Sequence, residues 1–205
     1  MNTVEQTCKE HKNIEKFAKG YLSRLADVLK SLDIGQIKSF AEVLERMRKE
    51  DRTIFIAGNG GSAATASHMA NDLSKGTMVP GAPRFRAISL ADNVPLITAW
   101  ANDTEYARVF VEQLDPLIRE GDVVVGISGS GNSENVLRAV RLAKARGAKA
   151  IGFTGAGGGK LAYLVDVNVL ASGAPMEMAE DVHMLLDHLI CTTIREVFKR
   201  EVAPR

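Results

Sequence analysis

Five short apolar segments, separated by helix-period patterns, constrain the fold of this chain more than any other feature of its sequence. They read TIFIAG at 53–58, FRAISL at 85–90, DVVVGIS at 122–128, KAIGFTG at 149–155 and VDVNVLA at 165–171. Short apolar strands that alternate with helices predict a parallel sheet with helices on both faces. We therefore expect an α/β protein with a three-layer, doubly wound, five-stranded parallel sheet.

Helical patterns also precede and follow the predicted strands. Residues 1–50 predict a hairpin of two amphipathic helices that packs on the core or on a neighbouring subunit, and residues 51–205 predict the sheet domain. The two parts are expected to form one structural unit. A long helix is predicted from about Met176 to Lys199, with an apolar stripe on one side and, on the other, a ridge of Glu180, Met184, His188 and Cys191. A helix with two covered faces favours an oligomer.

Composition excludes several classes of function. The net charge of +1 over 205 residues gives no electrostatic footprint for nucleic acid or for an anionic membrane. Two cysteines, Cys8 and Cys191, are too few for a disulfide framework. The polar N-terminus lacks the apolar region of a secretory signal, and no apolar run approaches the roughly 18 residues of a membrane span. We expect a cytoplasmic protein that binds neither nucleic acid nor membrane.

Three of the predicted strands end in glycine-rich loops, each followed by a predicted helix: GNGGS at 58–62, SGSGNS at 128–133 and GAGGG at 155–159. The N-terminus of a helix offers unpaired N–H donors that suit an anion, and serine hydroxyls add further donors. Ser62 and Ser133 also occupy positions where a helix cap is expected.

The three loops differ in how strongly they indicate a ligand. One helix cap requires one serine, whereas SGSGNS contains three, so this loop is the best candidate for binding a phosphate. Turn and cap chemistry explains GAGGG better, and GNGGS stays open between the two interpretations. Neither GxxxxGK[ST] nor GxGxxG is present, so a small phosphorylated metabolite fits better than a nucleotide.

A few titratable side chains have the spacing of a catalytic or metal site. His68 and Asp72 lie four residues apart on one predicted helix, a spacing that can place two ligands on one metal. His183 and Asp187 share this spacing, but a surface or interface pair is the favoured interpretation for them. Oxygen and imidazole ligands without thiolate suit zinc, and also manganese, iron or nickel.

Four segments of the chain carry a resemblance to a known family. AGNGGSAATASHMANDL, SLADNVPLITAWAND, EGDVVVGISGSGNSENVLRA and GFTGAGGGKLA resemble the SIS (sugar isomerase) domain, and more narrowly the phosphoheptose isomerases. The resemblance implies a homotetramer with active sites between subunits. It also implies conversion of sedoheptulose 7-phosphate to D-glycero-D-manno-heptose 7-phosphate through an enediol.

The resemblance assigns roles to individual residues. It implies that Asp72 and His188 are the acid–base pair, and that His68, Asp72, Glu180 and His188 hold a divalent metal, with zinc expected. The substrate and its phosphate are expected at Asn59, Gly60, Ser62, Asn93, Ser128, Gly129, Ser130, Ser133 and Glu180.

Three positions depart from the family pattern. Asp72 replaces a glutamate, Glu180 replaces a glutamine, and Gly129 stands where threonine is common. The family has a polar residue that contacts the substrate in this segment. The local spacing matches neither Asp92 nor Asn93 fully, so either residue can fill that position.

Two alternatives to this function remain at the level of sequence. The chain can be a non-catalytic SIS-domain protein that binds a phosphosugar or a protein partner such as the replication initiator, or it can isomerise another sugar phosphate. Ionisable residues at both acid–base positions favour an enzyme. The SGSGNS segment, which we call the serine loop, would bind the phosphate of any sugar phosphate and so does not distinguish one substrate from another.

Overall fold

The computed structural model describes residues 13–203 and contains the predicted five-stranded sheet. All strand pairs are parallel, and the strand order is β2-β1-β3-β4-β5. The strands are β1 (Thr53–Gly58), β2 (Arg86–Ser89), β3 (Val123–Ser128), β4 (Lys149–Ala156) and β5 (Val167–Ser172). Each strand overlaps one of the five apolar segments, so the predicted sheet is confirmed.

Eight α-helices accompany the sheet in the described part of the chain. They are α1 (Ile14–Lys30), α2 (Ile34–Lys49), α3 (Gly61–Asn71), α4 (Val94–Asp103), α5 (Val111–Leu114), α6 (Glu134–Ala145), α7 (Gly159–Leu164) and α8 (Met176–Val202). The predicted helix pair before β1 and the long last helix are both present. The first twelve residues of the expected N-terminal region, with Cys8, lie outside the described residues.

The alternation of side chains along the strands builds the two halves of the core. In β1, Ile54 and Ile56 face a cluster that includes buried residues of α2, α3 and α8. Phe55 and Ala57 face the opposite cluster, formed with α5, α6 and α7. Successive side chains of a strand point to opposite faces, so a continuous apolar strand requires helices on both sides. The result is the three-layer arrangement expected from the sequence.

Both ends of α8 are attached to the N-terminal helices. Near its start, the hydroxyl of Tyr21 donates a hydrogen bond of 2.5 Å to Asp181. Near its end, the buried guanidinium of Arg48 forms a 2.7 Å ion pair with Glu201 and lies 3.6 Å from the ring centroid of Phe198. These contacts fix α8 against α1 and α2.

The strand order places a crevice at the carboxyl ends of β1 and β3. From β1 the chain moves outward to β2, then returns to the other side of β1 to form β3. Ligands of open parallel sheets bind at such a reversal of strand order. GNGGS follows β1 and SGSGNS begins at the end of β3, so both loops meet at this crevice. Between residues 13 and 203, no helix has the length and apolar character needed to cross a bilayer.

Candidate active site

A cavity of about 160 Å³ lies at the crevice between β1 and β3. We call it the serine pocket, and its lining residues are Asn59, Ser62, Ile127, Ser128, Gly129, Ser130, Ser133, Met176 and Glu180. It therefore brings together all the predicted substrate residues except Gly60 and Asn93. Its chemistry is that of hydroxyls and amides, with Glu180 as its only charged lining residue in the described part of the chain.

The three hydroxyls of the serine loop converge inside this pocket. Ser128 Oγ lies 3.1 Å from Ser133 Oγ and 3.4 Å from Ser130 Oγ. Ser133 is the N-cap residue of α6, as predicted, yet its side chain makes no capping hydrogen bond. Its hydroxyl is therefore free to turn toward a ligand at the positive end of the helix. The prediction for Ser62 is wrong, because Gly60 caps α3 and Ser62 lies in its first turn.

The GAGGG loop and the start of α7 pack against the serine loop and form hydrogen bonds to its backbone. The amide of Leu161 donates 2.9 Å to the Gly131 carbonyl, and the amide of Gly155 donates 3.1 Å to the Gly129 carbonyl. Gly131 has a φ of +65°, and a Cβ there would overlap the carbonyl oxygen of Gly158. The GAGGG loop thus holds the shape of the SGSGNS loop, and it does not line the pocket itself.

Asn59 of the GNGGS loop is held by two residues that sequence reasoning missed. Its side-chain amide pairs with that of Asn135 through hydrogen bonds of 2.9 and 2.8 Å. The hydroxyl of Tyr106 donates a further bond of 2.9 Å to Asn59 Oδ1. Neither partner is near Asn59 in sequence, so no local pattern could have identified them.

Glu180 lies in the serine pocket because its side chain packs on the start of α3. A Cβ on Gly61 would overlap the carboxylate of Glu180, so only glycine allows this approach. The start of a helix carries a partial positive charge, which stabilises a carboxylate there. The expected contact between Glu180 and the substrate is compatible with this position.

A second cluster of side chains forms where α3 meets α8. We call it the His/Asp cluster; its residues are His68, Asp72, Asp187 and His188, and one ligand atom from each lies within 4.8 Å of all the others. His68 Nε2 is 2.9 Å from His188 Nε2 and 3.6 Å from Asp72 Oδ2. Two imidazoles and two carboxylates in this space can hold a divalent metal.

The cluster contains three of the four expected metal ligands, His68, Asp72 and His188. Glu180 does not join it and lines the serine pocket instead. Eight residues separate Glu180 from His188, which is about 12 Å along a helix. Asp187 is the fourth member of the cluster. The sequence favoured a different interpretation for this residue, namely a surface or interface pair with His183. Both side chains are fully buried within the protomer, so that interpretation is wrong.

Burial controls the chemistry of the ionisable residues on the inner face of α8. It raises the pKa of Asp187 to about 6, and it raises the pKa of the neighbouring Cys191 thiol. The Cys191 thiol donates to Asp187 Oδ1 at 3.3 Å, whereas Asp187 Oδ2 has no hydrogen-bond partner. An acidic residue within the apolar stripe of α8 was the available sequence signal, because a buried carboxylate requires compensation.

His183 belongs to the core and not to the site. Its ring stacks on Phe153 with a centroid distance of 5.6 Å, and burial lowers its pKa to about 4. It is therefore a neutral side chain near neutral pH.

Asp72 stands where the regular part of α3 ends. A short π-helical turn runs from Asp72 to Gly76, and such turns are frequent at functional sites. Asn71 donates a 3.1 Å hydrogen bond to Asp72 Oδ1, which leaves Oδ2 directed at His68. The wider turn and this hydrogen bond set the position of the Asp72 carboxylate.

The residues after β2 do not enter the serine pocket. Asn93 caps α4, and its Oδ1 accepts a 3.2 Å hydrogen bond from the amide of Leu96. Asp92 accepts a hydrogen bond from the hydroxyl of Ser67 on α3. Asn93 is therefore not among the lining residues of the serine pocket in this protomer, and its contact with the substrate stays a prediction.

Comparisons with known proteins agree on one family. The model of the SIS domain matches residues 16–155. The chain is 38% identical over 181 residues to a probable phosphoheptose isomerase of Thermoplasma acidophilum, a match that spans 88% of this chain and 99% of that protein. It is 37% identical to the phosphoheptose isomerase of Thermodesulfovibrio yellowstonii, over 80% of this chain and 82% of that one. The structure of a phosphoheptose isomerase from Neisseria gonorrhoeae matches with a TM-score of 0.83 at 30% identity, over 90% of this chain and all of that one.

Proposed function

The chain belongs to the SIS domain family, and on that premise we propose that it converts sedoheptulose 7-phosphate to D-glycero-D-manno-heptose 7-phosphate. Relatives that it matches over 82 to 99% of their length are named phosphoheptose isomerases. It is thus an isomerase, and the retained His/Asp cluster supports chemistry over a role in binding alone. The details that follow concern how its residues perform the reaction.

The observation that best supports a seven-carbon substrate is the distance between the serine pocket and the His/Asp cluster. Both α3 and α8 run from one to the other: α3 passes from Ser62 to His68, and α8 from Glu180 to His188. At about 1.5 Å per residue, these segments are roughly 9 and 12 Å long. An extended seven-carbon chain spans roughly 7.5 Å from C1 to C7, and its phosphorus lies about 2.5 Å further, for C–C bonds of about 1.5 Å. A phosphate in the pocket therefore places C1 and C2 near the cluster.

Asp72 and His188 are positioned to move protons at these two carbons. Conversion of a ketose to an aldose removes a proton from C1 and returns one to C2, while the oxygen on C1 loses a proton and the oxygen on C2 gains one. Asp72 and His188 come from different segments of the chain and are both accessible to solvent in part, so both can reach a bound sugar. We assign the enediol intermediate to this position.

The residues of the His/Asp cluster also fit a divalent metal, with zinc expected. The unpartnered Oδ2 of buried Asp187 and the facing imidazoles of His68 and His188 form a donor set of the type that zinc prefers. A bound metal would polarise the carbonyl oxygen of the sugar. The chain itself supplies the acid–base groups, the orientation of the sugar through the serine pocket, and the rigid helices between them.

The experiment that tests the function is turnover of phosphorylated ketoses of different lengths by the purified protein. We expect sedoheptulose 7-phosphate to be isomerised with kcat/KM at least about 100-fold higher than fructose 6-phosphate or ribulose 5-phosphate, because shorter chains cannot reach both ends of the site. Chelation should remove the activity, and zinc or manganese should restore it. Equal turnover of the three sugars would contradict the proposed substrate.

We also infer a homo-oligomer, for which a tetramer is expected. Helix α4 has the sequence VPLITAWAND, yet it has no buried residue in the protomer. A second apolar surface lies between α2 and α8, where Ile34 and Leu189 are exposed. Apolar patches of this kind mark protein–protein contacts. Light scattering measures the assembly, and cell fractionation tests the prediction that the enzyme is cytoplasmic.

A further inference from the structure

Asp187 is a buried carboxylate with one oxygen left without a partner. The side chain is fully buried, and its Oδ1 accepts from the thiol of Cys191 at 3.3 Å. Its Oδ2 has no hydrogen bond and lies 4.0 Å from His68 Nε2, in the middle of the His/Asp cluster. A buried carboxylate is destabilising unless a cation or hydrogen bonds compensate it. The described protein atoms give Oδ2 no hydrogen bond, and the His68 ring at 4.0 Å compensates its charge only when that ring is protonated.

The neighbouring side chains point their ligand atoms at the same place. His68 Nε2 and His188 Nε2 face each other at 2.9 Å, and Asp72 Oδ2 lies 3.6 Å from His68 Nε2. Four ligands at 2.0–2.2 Å from a tetrahedral ion lie roughly 3.4 Å from one another. The three distances to His68 Nε2, namely 2.9, 3.6 and 4.0 Å, bracket this value.

The geometry points to Asp187 as the fourth ligand of a divalent metal held by His68, Asp72 and His188, in place of Glu180. This assignment rests on the proposed function only in that it concerns the metal of the same site. Two carboxylates and two neutral imidazoles neutralise a divalent cation, which also compensates the buried charge of Asp187. Glu180 remains in the serine pocket, where its carboxylate packs on Gly61.

The assignment predicts the metal affinity of variants at two positions on the same helix. The protein is stripped with a chelator and titrated with Co²⁺, and the visible absorption reports the coordination of the ion. We expect one Co²⁺ per protomer for the wild type, and at least about tenfold weaker binding with an altered spectrum for Asp187→Asn. Glu180→Gln should bind Co²⁺ with the affinity and spectrum of the wild type. Glu196→Gln, which removes an exposed acid from α8, is the matched control.

A second variant keeps the test decisive if Asp187→Asn folds poorly. Asp187→Leu replaces the buried carboxylate with an apolar side chain of similar volume, which removes the cost of burying its unbonded Oδ2. We expect it to fold and to bind Co²⁺ at least about tenfold more weakly than the wild type. The assignment is overturned if either Asp187 variant keeps wild-type affinity and spectrum, if Glu180→Gln loses the metal, or if the wild type binds none.

Turnover of sedoheptulose 7-phosphate by the wild type is measured separately. Absence of turnover, together with metal loss in the Asp187 variants, would reject the proposed substrate and support the ligand. Turnover by a wild type whose metal affinity does not depend on Asp187 would support the function and reject the ligand.

Discussion

The serine pocket and the His/Asp cluster lie along the same two helices but are built in opposite ways. The pocket consists mainly of hydroxyls, amides and backbone, held by hydrogen bonds among themselves and by the GAGGG loop. The cluster consists of ionisable side chains that approach closely and leave Asp187 Oδ2 without a partner. A site of neutral dipoles can be complete in the protein alone, whereas a site of buried charge requires a ligand to complete it.

The largest effect should come from removing either member of the proposed acid–base pair. We expect His188→Ala and Asp72→Asn each to lower kcat by about 10²- to 10⁴-fold, because each removes a group that moves a proton. Steady-state kinetics measure the loss, and the melting temperature of each variant controls for folding. Binding of inorganic phosphate should persist, because the serine pocket is intact. Near-normal turnover of either variant would remove it from the proposed pair.

A smaller effect, confined to the serine pocket, is expected for Gly131→Ala. The added methyl would overlap the Gly158 carbonyl and force the serine loop to move, so we expect at least about tenfold weaker phosphate binding and about 3 kcal/mol lower unfolding free energy. Gly173→Ala is the matched control: Gly173 has a φ of +66° and open space around it, so only about 1 kcal/mol should be lost. Calorimetry and urea unfolding measure the two quantities, and equal effects of both variants would contradict the supporting role of the GAGGG loop.

His183 should show a pH dependence of stability that is independent of both sites. Its pKa falls from 6.5 in the unfolded chain to about 4 in the folded protein, because burial disfavours the charged ring. Between these values the unfolded chain binds more protons, so its contribution to stability is complete above pH 6.5 and is lost as the pH falls toward 4. Between pH 7.5 and 5, the loss should be about 2 kcal/mol. Urea unfolding of His183→Phe should lack this part of the pH dependence, and an unchanged dependence would contradict it.

The smallest effect should be seen with Glu180→Gln. Its carboxylate is the charged group among the described lining residues of the serine pocket, so its neutralisation should tighten binding of inorganic phosphate about 2- to 5-fold at low salt. The gain should shrink at higher ionic strength because salt screens the repulsion. Glu196→Gln, on the same helix but outside the pocket, should leave phosphate affinity unchanged. Weaker phosphate binding by Glu180→Gln would mean that the carboxylate supports the anion indirectly.

The serine pocket and the His/Asp cluster also differ in how far the sequence could predict them. The five strands were predicted within about two residues because each is a short, mainly apolar segment between helical patterns. The serine loop was predictable because it lies between β3 and α6. Both signals are local. His68 and Asp72 were also predicted, because they share one helix face at a fixed spacing.

The remaining parts of the site depend on how separate elements meet. The presence of Asp187 in the His/Asp cluster, and of Glu180 outside it, follows from the position of α8 against α3, which no pattern within α8 specifies. The Asn59–Asn135 pair and the π-helical turn at Asp72 likewise arise from packing between distant segments. Asn93 was assigned to the substrate from the family pattern, but its side chain is used to cap α4.

The attachment of α8 at both ends has a consequence for the mechanics of the site. Tyr21 holds its first turns through Asp181, and Arg48 holds its last turns through Glu201 and Phe198. His188 lies between these two anchors on a helix with no free end close to it. Backbone amides in this stretch should exchange with deuterium only when the whole protein unfolds. His188, the proposed acid–base group, is then held on a rigid helix, and we expect the geometry of the cluster to persist between one turnover and the next.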